Sequence, residues 1–474
     1  STPFANGVFF LNEESYPDAG SLNFLRLGAD GRADAWDYNV YRTANAGRHL
    51  GTTAQYGVGY HHKLFFIHKQ PGAYHLTAVR VDDLTACDTV WTADGLPASD
   101  GRFYLPLSDT SGLEATSRGL LFYDFVHHTI TPVPSVPLAP EPVGFDCVGQ
   151  LGTLRLVGDR IFAVRQDTGI LVLNARTLAL DTILTGHRDT TITSTPTSLY
   201  ASHLHDNAAT AIHTLLHIDP YTLVQTPITI PNGVPTPASD DNLYGTGFNH
   251  WSFWHADPIS AIPTAGTDTL CWILGNTAQA TALYRFDPLT ATGDIILRLD
   301  TLTIAGEQGW HFYASGFGFH PETGELFAAL QQGYSDSWAA LQFDVRTGNV
   351  IATLPLAPHG WYTAMPVFAD PAASEQPDGK PVVPGDEPPS ALFAATQTPP
   401  AAVHYADGIL HIHRLSGYTL QVSALNGRPL AHLHPRTDTE QFALPLSPGI
   451  YILHALPSSP SPLSLKFLVP TYHR

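Results

Sequence analysis

Lysine is almost missing from this chain, which carries four in 474 residues: Lys63, Lys69, Lys380 and Lys466. Charged residues of both signs reach only 14%, against roughly one quarter in an average soluble domain. With 23 basic and 42 acidic side chains the formal charge is -19, so a phosphate backbone is repelled along most of the molecule. Nucleic acid is therefore a poor partner. Cysteine is scarce as well: Cys87, Cys147 and Cys271 are widely spaced and form no C-x-x-C pair, so neither a zinc site nor a dense disulfide framework is indicated, and room remains for one disulfide. No apolar run approaches the ~18 residues of a membrane-spanning helix. The chain opens Ser1-Thr2-Pro3 without a basic and apolar leader, as expected of a mature exported protein whose signal peptide has been removed. A G-x-S-x-G elbow, a Walker loop, a dinucleotide fingerprint and an H-E-x-x-H pair are all missing, and nothing in the motif content requires an enzyme.

What the chain does have is 39 prolines, 39 glycines, 43% hydrophobic and 11% aromatic residues, the profile of a turn-rich β protein. Short β-branched and aromatic runs recur, such as Gly7 to Leu11, Lys63 to Ile67, Arg160 to Val164 and Glu325 to Ala329. No segment sustains a helical period. A weak repeat joins these runs, in which a strand ends in an acidic or amide turn followed by threonine. It reads Val81-Asp82-Asp83-Leu84-Thr85, Leu173-Asn174-Ala175-Arg176-Thr177, Ile218-Asp219-Pro220-Tyr221-Thr222, Phe286-Asp287-Pro288-Leu289-Thr290 and Phe343-Asp344-Val345-Arg346-Thr347. An Asp or Asn opening such a turn bonds its own backbone two residues on. The repeat is expected to be the hairpin between the outer strands of a propeller blade, and a period of roughly 40 to 50 residues gives about seven blades.

The predicted fold is all-β: a seven-bladed β-propeller over residues 1–370 and a small β-sandwich over 403–474. Between them, 371–402 is rich in proline and acidic residues and is expected to act as a semi-rigid tether.

The C-terminal unit resembles the sorting domain of type IX secretion cargo. The residues that carry this are Ser423-Ala424-Leu425-Asn426-Gly427-Arg428, then Leu446-Ser447-Pro448-Gly449-Ile450-Tyr451-Ile452-Leu453, then Lys466-Phe467. The N-terminal region resembles the YncE-like propeller lipoproteins of Bacteroidetes surfaces, a group that includes cobalamin-capturing propellers working with outer-membrane transporters. Here the carrying residues are Asn6 to Glu13, Asn45 to Gly51, and His359-Gly360-Trp361-Tyr362-Thr363-Ala364-Met365-Pro366-Val367-Phe368. These resemblances imply an extracellular protein at the cell surface, exported through the type IX machinery, that captures a corrinoid and hands it to a TonB-dependent outer-membrane transporter. One departure is that those relatives are anchored by an N-terminal cysteine, whereas this chain starts at Ser1 and carries a sorting unit instead.

Among chemically suggestive residues, the 24 histidines invite a metal or haem reading, with doublets at His61-His62 and His127-His128. Adjacent strand residues point to opposite faces, so a doublet offers one ligand only and no metal site is assigned. The same rule makes Glu13-Glu14 a solvated pair. Large aromatics beside polar groups recur at blade-like intervals in segments that read as loops. They place Trp251, Trp254, Trp310, Trp338, Trp361 and Tyr362 at one mouth of the propeller, with Asn249, His250, His311 and Asp336 as orienting hydrogen-bond partners. The expected ligand is a corrinoid; haem, or a scaffold role binding protein or glycan, are the alternatives.

Overall fold

The computed structural model describes residues 4–15, 18–68, 76–87, 101–139, 151–165, 168–185, 191–202, 214–234, 259–263, 268–274, 282–333 and 336–370. In the C-terminal unit it describes 402–406, 409–413, 415–416, 418–424, 428–437, 439–447, 449–456 and 463–469. The predicted tether falls almost wholly outside the described residues.

Seven four-stranded antiparallel sheets form the propeller. Blade 1 takes three strands from the chain start: β1 (Gly7–Asn12), β2 (Ser21–Leu27) and β3 (Ala33–Asp37). A short helix, α1 (Val40–Ala44), follows. Blade 2 is β4 (Ala54–Tyr60), β5 (Lys63–His68), β6 (Leu76–Arg80) and β7 (Ala86–Cys87). Blade 3 is β8 (Gly101–Ser108), β9 (Ser111–Thr116), β10 (Leu120–Asp124) and β11 (Thr129–Pro132). Blade 4 is β12 (Leu151–Val157), β13 (Arg160–Arg165), β14 (Gly169–Asn174) and β15 (Leu180–Thr185). Blade 5 is β16 (Ile192–Ser194), β17 (Leu199–Ser202), β18 (Thr214–Ile218) and β19 (Gln225–Thr229). Blade 6 is β20 (Ile259–Ala261), β21 (Leu270–Leu274), β22 (Ala282–Asp287) and β23 (Thr292–Arg298). Blade 7 is β24 (Trp310–Phe319), β25 (Leu326–Gln332), β26 (Trp338–Asp344) and β27 (Asn349–Pro355). The last strand, β28 (Thr363–Val367), returns to blade 1 as its innermost strand, pairing Phe9 with Val367 and Leu11 with Met365. Ring closure therefore rests on pairing the two ends of the propeller within one blade.

This topology gives the ring two unlike faces. On the lower face the first strand of blades 2 to 7 turns into the second, and in every blade the third turns into the fourth. The upper face is where second strands end, third strands begin and each blade passes to the next, and there end the strands that flank the long connections 38–53, 88–100, 133–150, 203–213, 230–258 and 299–309. Long connections on a rigid scaffold are where binding function concentrates.

The repeated turn is the lower-face hairpin between third and fourth strands, as its chemistry predicts. Asn174 Oδ1 accepts from the Arg176 and Thr177 N–H groups at 2.8 and 3.0 Å, and Asp219 Oδ1 does the same with Tyr221 and Thr222. Asp287 and Asp344 repeat the pattern. Four residues on, the chain turns through the left-handed region at Leu178, Leu223, Ala291 and Gly348. Blade 3 carries a further copy at Asp124, hidden in the sequence because His127 stands where threonine is expected. In blade 2 the turn-opening position is Arg80, not Asp82, since the Leu84 N–H returns to the Arg80 carbonyl. Asp83 instead folds back on the Arg80 guanidinium and on Thr85, which pull its carboxyl down to about 2.

The C-terminal unit has two sheets, which continue the numbering as β29 (Ala402–Ala406), β30 (Ile409–His413), β31 (Thr419–Ala424), β32 (Pro429–Leu433), β33 (Thr439–Ala443), β34 (Gly449–Leu456) and β35 (Leu463–Val469). One runs β29-β30-β33 and the other β32-β31-β34-β35. Leu410 and Ile412 of the first pack with Leu420, Val422, Tyr451 and Leu453 of the second, as in a sandwich. The Tyr451 hydroxyl donates to the Ser447 carbonyl at 2.7 Å, which fixes the Leu446 to Tyr451 corner.

Candidate functional site

One group of described upper-face residues lies where blade 7 meets blade 1. The connection from β27 into β28 and the one from β1 into β2 run side by side there. The Glu13 N–H donates to the Tyr362 carbonyl at 2.9 Å and the Glu14 N–H to the Trp361 carbonyl at 3.1 Å. Both Glu14 and Tyr362 are left-handed, at φ 63° and 43°. Two non-glycine residues held in this costly region and bonded across one seam are a local strain of the kind that collects at functional sites.

A chain of buried polar groups runs into the seam. The Thr363 hydroxyl donates to Asn12 Oδ1 at 2.6 Å, and the Asn12 amide donates to Ser21 Oγ at 3.0 Å. The Ser21 hydroxyl then donates to one oxygen of Glu14, while His359 Nε2 lies 2.5 Å from the other. The Glu14 side chain is 8% exposed, whereas that of His359 is 50% exposed. Glu13 is buried beside it. The expectation of a solvated Glu13-Glu14 pair is thus corrected. Strand β1 stops at Asn12 and Glu14 turns left-handed, so the alternation that would separate the two side chains no longer applies. Hydrogen bonds passed through successive polar groups in a low-dielectric setting reinforce one another, and this series ends on a carboxylate at the edge of solvent.

Aromatic rings frame these groups. Tyr38 stacks on Trp361 at 5.5 Å and on Trp36 at 6.2 Å, and the His359 ring meets Trp361 at 4.3 Å. Trp338 lies edge-on to Tyr313 and Tyr362, at 5.5 and 5.9 Å. The Trp361 indole N–H donates to the Ala357 carbonyl at 2.9 Å.

Of the residues singled out in the sequence, Trp338, Trp361 and Tyr362 share one cluster. Exposed Asp336 adjoins it, its carbonyl accepting from the His359 N–H at 3.2 Å. Trp310 belongs to a different cluster, on the blade 6 side, with Phe312 and Phe317. His311 is buried, its Nε2 lying 2.8 Å from the Gly333 carbonyl. Trp310 and Trp338 are the first residues of β24 and β26 rather than loop residues, and both are almost fully buried. Asn249, His250, Trp251 and Trp254 lie outside the described residues, in a connection whose flanking strands end at the upper face. Sequence reasoning missed Glu14 and His359 as a pair, because 345 positions separate them. Among the described residues no group of three or more His, Cys, Asp or Glu side chains could hold a metal ion. None of their helices is long and apolar enough to cross a membrane.

A second polar group sits on the lower face, where the chain leaves the ring. Asp370 accepts from the His61 N–H at 2.9 Å, and His61 Nδ1 lies 2.6 Å from Asp109. Burial, together with Asp109 and Asp370, raises the Tyr60 phenol beside them. A Cβ on Gly59 would lie 2.2 Å from the Phe368 carbonyl oxygen, so the exit segment crosses β4 at the one residue type that admits it. The Phe368 ring packs edge-on to His320 and Phe327 of blade 7.

Seven blades closed by a returning strand, with the strands that flank the long connections ending on one face, define a seven-bladed β-propeller. The model of the DUF5074 family, described as a domain of unknown function, matches residues 6–369, and the chain belongs to that family. No curated protein matches the sequence. Among solved structures, a quinonprotein alcohol dehydrogenase-like protein from Bacteroides thetaiotaomicron is similar at 13% identity and TM-score 0.50, over 75% of this chain and 76% of that one. A protein from Lactobacillus plantarum is similar at 12% identity and TM-score 0.47, over 76% and 98%. AztD from Citrobacter koseri is similar at 10% identity and TM-score 0.41, over 93% and 99%. The first likeness supports the fold and nothing narrower.

Proposed function

We propose that this propeller is a non-catalytic ligand-capture module acting outside the cell, with its upper face as the binding face and a corrinoid as the ligand. The observation that carries this reading is the strained, aromatic-framed seam at Glu14, His359 and Tyr362, on the face where the strands flanking the long connections end. The chain leaves the ring on the lower face, at Asp370. Charge favours a corrinoid over haem. Glu14 is an acceptor, Glu13 is buried beside it, and the chain as a whole is strongly acidic. Such a site matches the amide N–H donors around a corrin ring and opposes the two propionates of haem. The C-terminal sandwich is read as the export unit recognised by the type IX machinery, and a TonB-dependent transporter as the acceptor of the captured ligand.

The test is the visible absorption spectrum of protein purified from its native envelope, followed by titration with cobalamin. Corrinoid bands, or saturable uptake of added cobalamin, are expected. A colourless protein that takes up no cobalamin overturns the reading, and haem bands would overturn the choice of ligand.

A further inference from the structure

We propose that Asn232-Gly233 is a site of spontaneous deamidation that modifies the base of the 230–258 connection while the protein remains folded. The pair lies in a single 3-10 turn, Pro231–Gly233, at the upper end of β19. Asn232 is left-handed, at φ 58° and ψ 22°, and both Asn232 and Gly233 are exposed. The turn is closed by the Val234 N–H on the Pro231 carbonyl at 3.4 Å, beyond the usual length of such a bond. The bond is weak, and glycine at the following position places no side chain in the way of ring closure. In the reaction the Gly233 backbone nitrogen attacks the Asn232 side-chain carbonyl carbon. The nitrogen loses its proton and ammonia leaves, which closes a succinimide. Water then adds to either ring carbonyl and yields aspartate or isoaspartate. The first adds a negative charge and the second also lengthens the main chain by one methylene, at the start of the connection that carries Asn249, His250, Trp251 and Trp254.

Asn6-Gly7 has the same chemistry in the opposite setting. The Asn6 side-chain amide donates to the Leu27 carbonyl at 2.8 Å, and Gly7 is held in β1 opposite Arg26. A Cβ there would lie 2.3 Å from both the Leu25 oxygen and the Phe24 ring. Ring closure at Asn6 requires the sheet to open, so its rate should be on the order of 100-fold lower in the native protein.

The experiment incubates the full chain at physiological temperature and mildly alkaline pH, native and in urea, and follows each peptide by mass spectrometry with isoaspartate-specific methylation as second readout. The Asn232 peptide should convert in the native protein while the Asn6 peptide stays intact, both should convert at similar rates in urea, and Asn232→Gln should abolish the native signal. Equal native rates at the two sites, or an Asn232 peptide that converts only in urea or not at all, overturns the proposal.

Discussion

Replacing Trp338 separates packing from hydrogen bonding at the blade 7 to blade 1 seam. Its ring is 1% exposed and wedged edge-on between Tyr313 and Tyr362, whereas its indole N–H is buried with no hydrogen-bond acceptor among the described residues. Trp338→Ala removes the whole ring and should cost ~3 to 5 kcal/mol, the range of large aromatic truncations in a core. Trp338→Phe keeps most of the apolar contact and removes a buried unsatisfied donor worth ~1 to 3 kcal/mol, so losses and gains nearly cancel and the net cost should stay within ~1 kcal/mol. Trp361→Phe should cost more, ~2 kcal/mol, because it gives up volume together with the 2.9 Å bond to the Ala357 carbonyl. Urea unfolding at constant m-value measures all three. If Trp338→Phe proves costlier than Trp361→Phe, or if Trp338→Ala costs less than ~1 kcal/mol, the packing argument for this seam is refuted.

Three further outcomes are expected. His320 opens the first hairpin of blade 7, its Nδ1 accepting from the Glu322 and Thr323 N–H groups, and burial lowers its pKa against the opposing pull of Glu322 and Glu325. An unfolded imidazole titrates near ~6.5, so this contribution is complete above that pH and is lost as pH falls through the lower folded value. His320→Asn should therefore flatten the melting temperature between about pH 6.5 and 5, and an unchanged slope would count against it. Gly59→Val forces the Phe368 carbonyl away from β4 and should destabilise by ~1 to 3 kcal/mol, seen as earlier proteolysis beyond Val367; wild-type resistance would show that the exit segment is not clamped. Deleting residues 403–474 should leave a folded propeller in the periplasm, and surface display of that truncated protein would refute the sorting role.

The parts of the fold that are local were legible in the sequence. The hairpins at Asn174, Asp219, Asp287 and Asp344 are set by a side chain bonding its own backbone, so spacing alone reveals them. The turn at Arg80 was misaligned because Asp83 bonds in the reverse sense, and the copy at Asp124 was hidden by His127. The closed seven-bladed ring was expected from the repeat, but the particular pairing that closes it, Phe9 with Val367, leaves no local trace. At the seam, aromatic richness was visible but burial was not. Whether Trp338 faces solvent or a neighbouring blade depends on how two sheets pack, and that is fixed by residues far away in the chain. The Glu14 to His359 pair is hidden for the same reason.

The central claim is that the upper face binds the ligand, and calorimetric titration of cyanocobalamin into the wild type and two single variants tests it most directly. His359→Ala removes an exposed upper-face side chain that touches Glu14 and Trp361, while His61→Ala removes a lower-face one that touches Asp109. The account predicts binding by the wild type, a loss of about thirtyfold or more for His359→Ala at unchanged melting temperature, and wild-type affinity for His61→Ala. No binding by the wild type, or wild-type affinity in His359→Ala, would contradict it.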